Sequence, residues 1–304
     1  MLTLAATPLT YLQAIVIGIV QGITELFPIS SLGHSVLIPE LLGWDKLVTG
    51  QSADESFYLA FLVGLHVATA IALLVFFWRD WVAIVKGFFS SIRYRRIESS
   101  SERMAWLLVL GTIPVGIVGL VFEHSLRTVF AKPTAAAIFL TINGLILLAG
   151  ERLRRRSDVR ALVTTHAHHD DANEVGRDLD TLELREGALV GSAQILALFA
   201  GISRSGATMV AGLLRGLDHE DAMRFSFLLA TPIIFAAGVY KLPDLLGHNG
   251  DHIRGQVVVG SLFAGVTAYL TVRFLERYFR TRTLMPFAIY SLVVGVAMIL
   301  YTTL

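Results

Sequence analysis

The sequence predicts an all-α membrane protein with about six transmembrane helices and two re-entrant helical hairpins, arranged as an inverted-topology repeat. Three observations carry that expectation. The 304 residues are 54% hydrophobic and only 16% charged, with a mean hydropathy of +0.65, too apolar for a water-soluble domain. The apolar residues fall into runs of about 18–22, the length that crosses a bilayer. Two further apolar regions are interrupted midway by Gly/Ser-rich breaks. The chain has no cysteine, which excludes disulfides and thiolate metal sites. Its basic residues form short clusters between apolar runs, so the net charge of +1 gives no reason to expect a nucleic-acid partner. No basic n-region with a small-residue cleavage pattern opens the chain, so no cleaved signal peptide is read.

Taken in order, the full spans are expected at about 57–77, 105–123, 133–150, 225–242, 256–274 and 284–302. Basic clusters orient them. Arg93, Arg95 and Arg96 follow the first span, Arg152, Arg154, Arg155, Arg156 and Arg160 the third, and Arg277, Arg280 and Arg282 the fifth. Alternate loops are therefore basic and are assigned to the cytoplasm, which puts both termini outside.

The interrupted regions, about 10–43 and 187–217, have halves too short to cross alone. For the charge alternation to survive, each must enter and leave on one side, with its non-helical backbone shielded by protein or water. Self-comparison supports this. At an offset of 173 residues, Gly18, Gln21, Ile29, Ser30, Gly33, Leu41 and Gly43 match Gly191, Gln194, Ile202, Ser203, Gly206, Leu214 and Gly216. The chain is thus expected to form one integral membrane domain. Repeat A covers about 10–150 and repeat B about 187–304, each a hairpin followed by three spans. The charged segment at about 151–186 is expected to be a flexible cytoplasmic linker. An odd number of spans inverts the second repeat, and such folds place their site near the midplane, where interrupted helices meet.

The breaks carry the chemistry. In Q-G-I-T-E-L-F-P-I-S-S-L-G-H, residues 21–34, Gln21 and Glu25 lie four apart on one helix face before Pro28. A carboxylate at membrane depth is costly and marks function by default. Ser30, Ser31 and Gly33 offer hydroxyls and free backbone N–H groups that cradle an anion. His34, opening the returning half-helix, is an acid/base candidate. The second break, G-I-S-R-S-G-A-T at 201–208, holds Arg204, whose charge cannot be removed and whose planar fork suits phosphate. Ser203, Ser205, Gly206 and Thr208 surround it with further donors. An Arg204–Glu25 ion pair joining the hairpins is compatible with that role. One cation, one carboxylate, one imidazole and many hydroxyls suit a phosphate-bearing headgroup whose tail stays in lipid.

At these residues the sequence resembles the undecaprenyl pyrophosphate phosphatase family, the bacitracin-resistance BacA type, over nearly the whole chain. Q-G-I-T-E at 21–25 runs into P-I-S-S-L-G-H at 28–34, and A-G-I-S-R-S-G-A-T at 200–208 matches the family's second motif. R-F-S-F-L-L-A-T-P at 224–232 and P-F-A-I-Y at 286–290 also match family segments. The resemblance implies an enzyme of the bacterial cytoplasmic membrane that removes the terminal phosphate of undecaprenyl pyrophosphate. Its product would be the lipid carrier for cell-wall precursors, and its action would confer bacitracin resistance. The resemblance also implies dependence on a divalent cation, Mg²⁺ or Ca²⁺, and an active site opening to the outer, periplasmic face. By matching position, Glu25 and His34 are the catalytic pair and Arg204 binds the pyrophosphate, with Ser31, Ser203 and Thr208 nearby. Gln21 stands where many members have Glu, so a two-carboxylate metal clamp cannot form. Metal binding would rest on Glu25, with Gln21 (through water) and substrate oxygens. Ala200 replaces the motif's Pro. Ser31, His34 and a Glu25-activated water all remain open as nucleophile, and a homodimer remains open as the assembly state.

Other signals carry less. T-T-H-A-H-H-D-D at 164–171 resembles a hydrolase zinc motif but ends in Asp171 where that motif has His, and is read as polar linker. His66, mid-span, and His124, near a span end, are read as packed or interfacial. The rival class is a polyprenyl-phosphate flippase or transporter using the same phosphate site, since inverted repeats are transporter architecture. A purely structural membrane protein would leave Glu25 and Arg204 unexplained.

Overall fold

The computed structural model describes residues 9–44, 47, 57–130, 132–165, 177–247 and 253–304. These are helical, with no strand among the described residues. The helices are α1 (Tyr11–Thr24), α2 (Ser31–Leu41), α3 (Phe57–Phe76), α4 (Trp78–Tyr94), α5 (Ser100–Phe130) and α6 (Pro133–Thr165). They continue as α7 (Leu184–Ser192), α8 (Arg204–Leu214), α9 (His219–Leu246), α10 (Arg254–Phe279) and α11 (Met285–Thr303). A 3₁₀ segment, Ala193–Leu198, extends α7. Among the described residues, six stretches are long and apolar enough to cross a membrane: Phe57–Phe76, Ser100–Phe122, Pro133–Arg156, His219–Lys241, Arg254–Phe279 and Met285–Thr303. They coincide with the six expected spans. The short helices α1/α2 and α7/α8 flank the two Gly/Ser-rich breaks.

Packing between the halves is reciprocal. α1 lies along α10 and α7 lies along α5; α3 packs on α9, and α6 on α11. Small residues allow the first two crossings. A Cβ on Gly18 would strike the backbone of Gly260, and one on Gly191 would strike the backbone of Gly111. Gly18 and Gly191 are counterparts in the self-comparison.

Two segments differ from expectation. The basic cluster after the first span ends a helix, α4, that buries Ile84, Gly87 and Ser91. Its opposite side exposes Trp78, Val82, Val85, Phe89 and Ile92 beside Arg79, Lys86 and Arg93. Asp80 in its first turn and Arg93 in its last complement the helix dipole.

The segment 151–186 is not a flexible linker where it is described. α6 continues to Thr165, because polarity does not lower the helix propensity of Arg, Leu and Ala. Glu151 is buried, and accepts from Arg155 at 3.1 Å and contacts His219 at 2.9 Å. Past the undescribed residues, Arg177 donates its backbone N–H to Gly216 and pairs with Glu186 at 2.8 Å. That pair holds the Glu186 carboxyl below its ordinary range, with the Arg177 hydrogen bond as the main cause. The His/Asp run at 166–171 and the side chain of His124 lie outside the described residues.

Candidate active site

The site forms where the two breaks touch. α1 starts with a Thr10–Gln13 capping box and ends at Thr24, leaving Glu25 as its C-cap. Pro28 disfavours helical backbone at Phe27, and the chain turns through residues 25–29. Ser30 then takes φ 70°, an uncommon conformation for a residue other than glycine, and caps α2 by accepting from Gly33 N at 3.2 Å. In the second break Gly201 takes φ 116°, and a Cβ there would strike the Ala136 carbonyl, so only glycine fits. Ser203 caps α8 in the way Ser30 caps α2, accepting from Gly206 N at 3.1 Å.

The breaks are stapled together. Ser30 Oγ also accepts from Gly201 N at 3.1 Å. Ser205 donates to the Phe27 carbonyl at 3.3 Å and shares a 3.0 Å contact with Ser203. Asn143, from mid-α6 and fully buried, donates to the Pro28 carbonyl at 2.9 Å and accepts from Ser203 N at 3.0 Å. Two helix N-termini, with their positive partial charge, therefore open at one place.

Glu25 stands at that junction, its side chain 6% exposed. Its Oε1 accepts from Arg204 Nη2 at 3.0 Å. Its Oε2 accepts from Ser31 Oγ at 2.5 Å and from Gln21 Nε2 at 3.1 Å, and His66 Nε2 lies 3.3 Å from the same oxygen. Arg204 leans its second nitrogen towards the Ser226 carbonyl at 3.4 Å. One carboxylate is thus ringed by donors.

The predicted residues sort into two groups. Gln21, Glu25, Ser31 and Arg204 converge on one carboxylate. Ser30, Ser203 and Ser205 use their hydroxyls to hold the breaks, and Thr208 donates to Ser226 at 2.6 Å. Gly33 and Gly206 serve close packing, against Gly201 and against Pro28 and Leu147. His34 does not contact Glu25. Its Nδ1 meets the Ser30 carbonyl at 2.7 Å and its Nε2 meets Tyr290 Oη at 2.9 Å. A carbonyl only accepts, so Nδ1 carries the hydrogen and neutral Nε2 accepts from the phenol.

Sequence reasoning missed His66, read as packed, together with Asn143, Tyr290 and Ser226. For Asn143 and His66 the signal was present, a polar side chain in mid-span. Tyr290 and Ser226 lie in the family-like segments 286–290 and 224–232, which marked them without assigning them a role.

A divalent cation held by the protein does not fit these side chains. Among the described residues no three His, Asp or Glu side chains converge. Both oxygens of Glu25 are already taken by donors, and Gln21 presents its amide nitrogen, not its oxygen, to the carboxylate.

Fold and site together define a multi-pass, all-helical membrane protein with a buried, charge-paired polar site between two helix breaks. The chain belongs to the family described as bacitracin resistance protein BacA, which matches residues 14–297. It is 58% identical to undecaprenyl-diphosphatase 2 of Frankia alni, covering 94% of this chain and 96% of that protein. It is 59% identical to the undecaprenyl-diphosphatase of Mycolicibacterium paratuberculosis, covering 97% and 98%. A more distant relative, undecaprenyl-diphosphatase 2 of Chromobacterium violaceum, is 41% identical over 95% of this chain and 98% of its own length.

Proposed function

We propose that this protein hydrolyses undecaprenyl pyrophosphate to undecaprenyl phosphate and inorganic phosphate, recycling the carrier for cell-wall synthesis and conferring bacitracin resistance. The carrying observation is Arg204, its side chain only 12% exposed and held by Glu25 at 3.0 Å where two helix N-termini meet. A guanidinium there needs an anion at all times, and Glu25 supplies one until phosphate arrives. The relatives, named as undecaprenyl-diphosphatases over nearly their full length, support the same substrate.

The geometry supports a sequence of steps. The substrate's terminal phosphate takes Arg204 from Glu25 and accepts N–H groups at the breaks. Glu25, freed on one oxygen, keeps Ser31 on the other. Ser31 Oγ, 2.5 Å from Oε2, attacks the terminal phosphorus as its proton passes to Glu25. The bond from phosphorus to the bridging oxygen breaks, and undecaprenyl phosphate leaves with the electron pair. Water then releases phosphate from Ser31, and Glu25 returns the proton. His34, its Nδ1 hydrogen held on the Ser30 carbonyl, takes the proton of that water on Nε2, where Tyr290 donates at rest. Arg204 offsets charge developing on the transferred group. A divalent ion, which these side chains do not hold, would arrive with the substrate and would offset the charge of its pyrophosphate.

The chain is one membrane domain of two inverted repeats, with α1/α2 and α7/α8 as re-entrant hairpins. Three features support this reading. The Ser30 and Ser203 caps repeat at the offset of 173. The Gly18–Gly260 and Gly191–Gly111 crossings exchange halves, and α1, at 14 residues, is about 21 Å long and falls short of a bilayer's hydrocarbon core. The site opens to the outer face of the cytoplasmic membrane, and both termini lie outside.

Purified protein in detergent tests the proposal. Phosphate should be released from a polyprenyl pyrophosphate with Mg²⁺ or Ca²⁺ present, and release should stop on chelation. Arg204→Ala and Glu25→Ala should abolish turnover in folded protein, and wild-type rates in both would refute the site. Ser31→Ala should lose at least about a hundredfold, in the range of removing a covalent nucleophile. A smaller loss transfers the attack to water. Movement of labelled lipid between leaflets without phosphate release would establish the flippase reading instead.

A further inference from the structure

His66 is the only Lys, Arg, His, Asp or Glu in α3, a span that belongs to neither break. Its Nδ1 lies 2.8 Å from the Leu62 carbonyl, one turn earlier in the same helix. That oxygen can only accept, so Nδ1 carries a hydrogen and donates it. The ring is thereby fixed, and its other nitrogen is aimed at Glu25 Oε2, 3.3 Å away. A bare ring nitrogen and a carboxylate oxygen would repel at that distance, so a hydrogen lies between them.

The four groups around Glu25 differ in what turnover asks of them. Arg204 must transfer to the phosphate. Ser31 must give up its hydrogen. Gln21 sits on α1 itself and moves with Glu25. Only His66 comes from a separate, continuous helix and is asked to do nothing else. We propose that His66 is a positioning residue, anchoring Oε2 of Glu25 beside Ser31 while Arg204 passes to the substrate. This rests on the hydrolase reading above and adds a residue to it.

The test compares His66→Leu, which keeps bulk without a donor, with His66→Gln, whose amide N–H reaches the position of Nε2. Purified full-length variants are assayed for phosphate release from a polyprenyl pyrophosphate, with thermal unfolding followed alongside. His66→Leu should lower kcat by about 10–100-fold, the scale of one charge-assisted hydrogen bond, with KM changed by less than about threefold. His66→Gln should stay within about fivefold of wild type, rescued by the restored donor. Wild-type kcat in His66→Leu, a rise in KM alone, or a Gln variant as impaired as the Leu variant would each overturn the proposal. A second readout does not need turnover. A crystal structure of His66→Leu grown from lipidic mesophase should show the Glu25 carboxylate turned away from Ser31. An unchanged Ser31–Glu25 contact there refutes the anchoring role. A wild-type enzyme that releases no phosphate refutes the hydrolase reading separately, and the crystal structure still decides the role of His66.

Discussion

Replacing Asn143 with Leu removes the staple between the two helix breaks while leaving its volume nearly unchanged. Asn143 is fully buried, and its amide reaches both breaks and a third helix. It donates to the Pro28 carbonyl at 2.9 Å and to Ser291 Oγ at 3.3 Å, and accepts from Ser203 N at 3.0 Å. Leucine restores none of these, and a near-isosteric apolar swap adds little cavity cost. Orphaning a buried backbone donor and acceptor costs about 1–3 kcal/mol each. Hydrogen bonds measured inside membrane bundles average nearer about 0.6 kcal/mol. The expected loss is therefore about 2–4 kcal/mol, combining those two scales for three bonds. At about 2–4 °C per kcal/mol, the scale for somewhat smaller proteins, Tm should fall by roughly 4–16 °C. Turnover should fall with it, because Ser203 caps the helix that carries Arg204. Asn143→Asp keeps the acceptor for Ser203 N but loses both donors, and should fall between. The assay is thermal unfolding in a single detergent, paired with phosphate release. A Leu variant with Tm within about 2 °C of wild type and undiminished turnover would refute the staple.

Other expectations follow from the same geometry. Arg204→Lys keeps the charge but not the planar fork, and should cost about 10–100-fold in kcat/KM for polyprenyl pyrophosphate; wild-type kinetics would show that a point charge suffices. Gly201→Ala places a Cβ against the Ala136 carbonyl at φ 116°, and should destabilise by about 1–3 kcal/mol in a thermal unfolding comparison. An unchanged Tm would contradict the tight approach of α6. In a chain with no native cysteine, Asp171→Cys should react with a membrane-impermeant maleimide only from the cytoplasmic side. Labelling of intact cells from outside would overturn the orientation.

How much was legible in the sequence depends on the kind of signal. The spans were, because length and apolarity decide them: the run at 57–77 is α3 almost to the residue. Glu25, Ser31 and Arg204 were legible because charge and hydroxyls in an apolar setting demand an explanation. The helix α4 was not, since Trp, Val and Phe alternate with Arg, Asp and Lys along it, a mixed run that resembles the end of a span followed by a basic loop. The extension of α6 was hidden because its Arg-rich polarity resembles a loop, although Arg, Leu and Ala all favour helix. His66 illustrates a different limit. Its periodicity in α3 says only that one polar residue is tolerated there, and its partner lies 41 positions earlier, on another helix. No spacing rule within a single helix links them. The reverse holds for Ser203, Ser205 and Thr208, whose motif suggested phosphate donors. Their hydroxyls also hold backbone and Ser226, because a helix break in a membrane must satisfy its own polar groups.

That constraint also explains why Gln21 suits this site. A carboxylate at position 21, 3.1 Å from Glu25 where the amide nitrogen now sits, would place two like charges in contact. Such a pair must share a proton or hold a cation. The amide instead donates to Glu25, and no cation is needed to separate them. With Arg204 on one oxygen and His66 on the other, a single carboxylate faces two donor groups capable of positive charge, before counting the two helix N-termini. The side chains of the site therefore lean positive, and on the proposed reading the substrate's phosphates bring the charge towards balance. Binding and activation then become one event. On the proposed mechanism, Arg204 leaves Glu25 when a phosphate replaces it, and that frees one Glu25 oxygen as the other takes a proton from Ser31. Water alone offers Arg204 no such exchange, which protects the base from acting before the lipid pyrophosphate is in place.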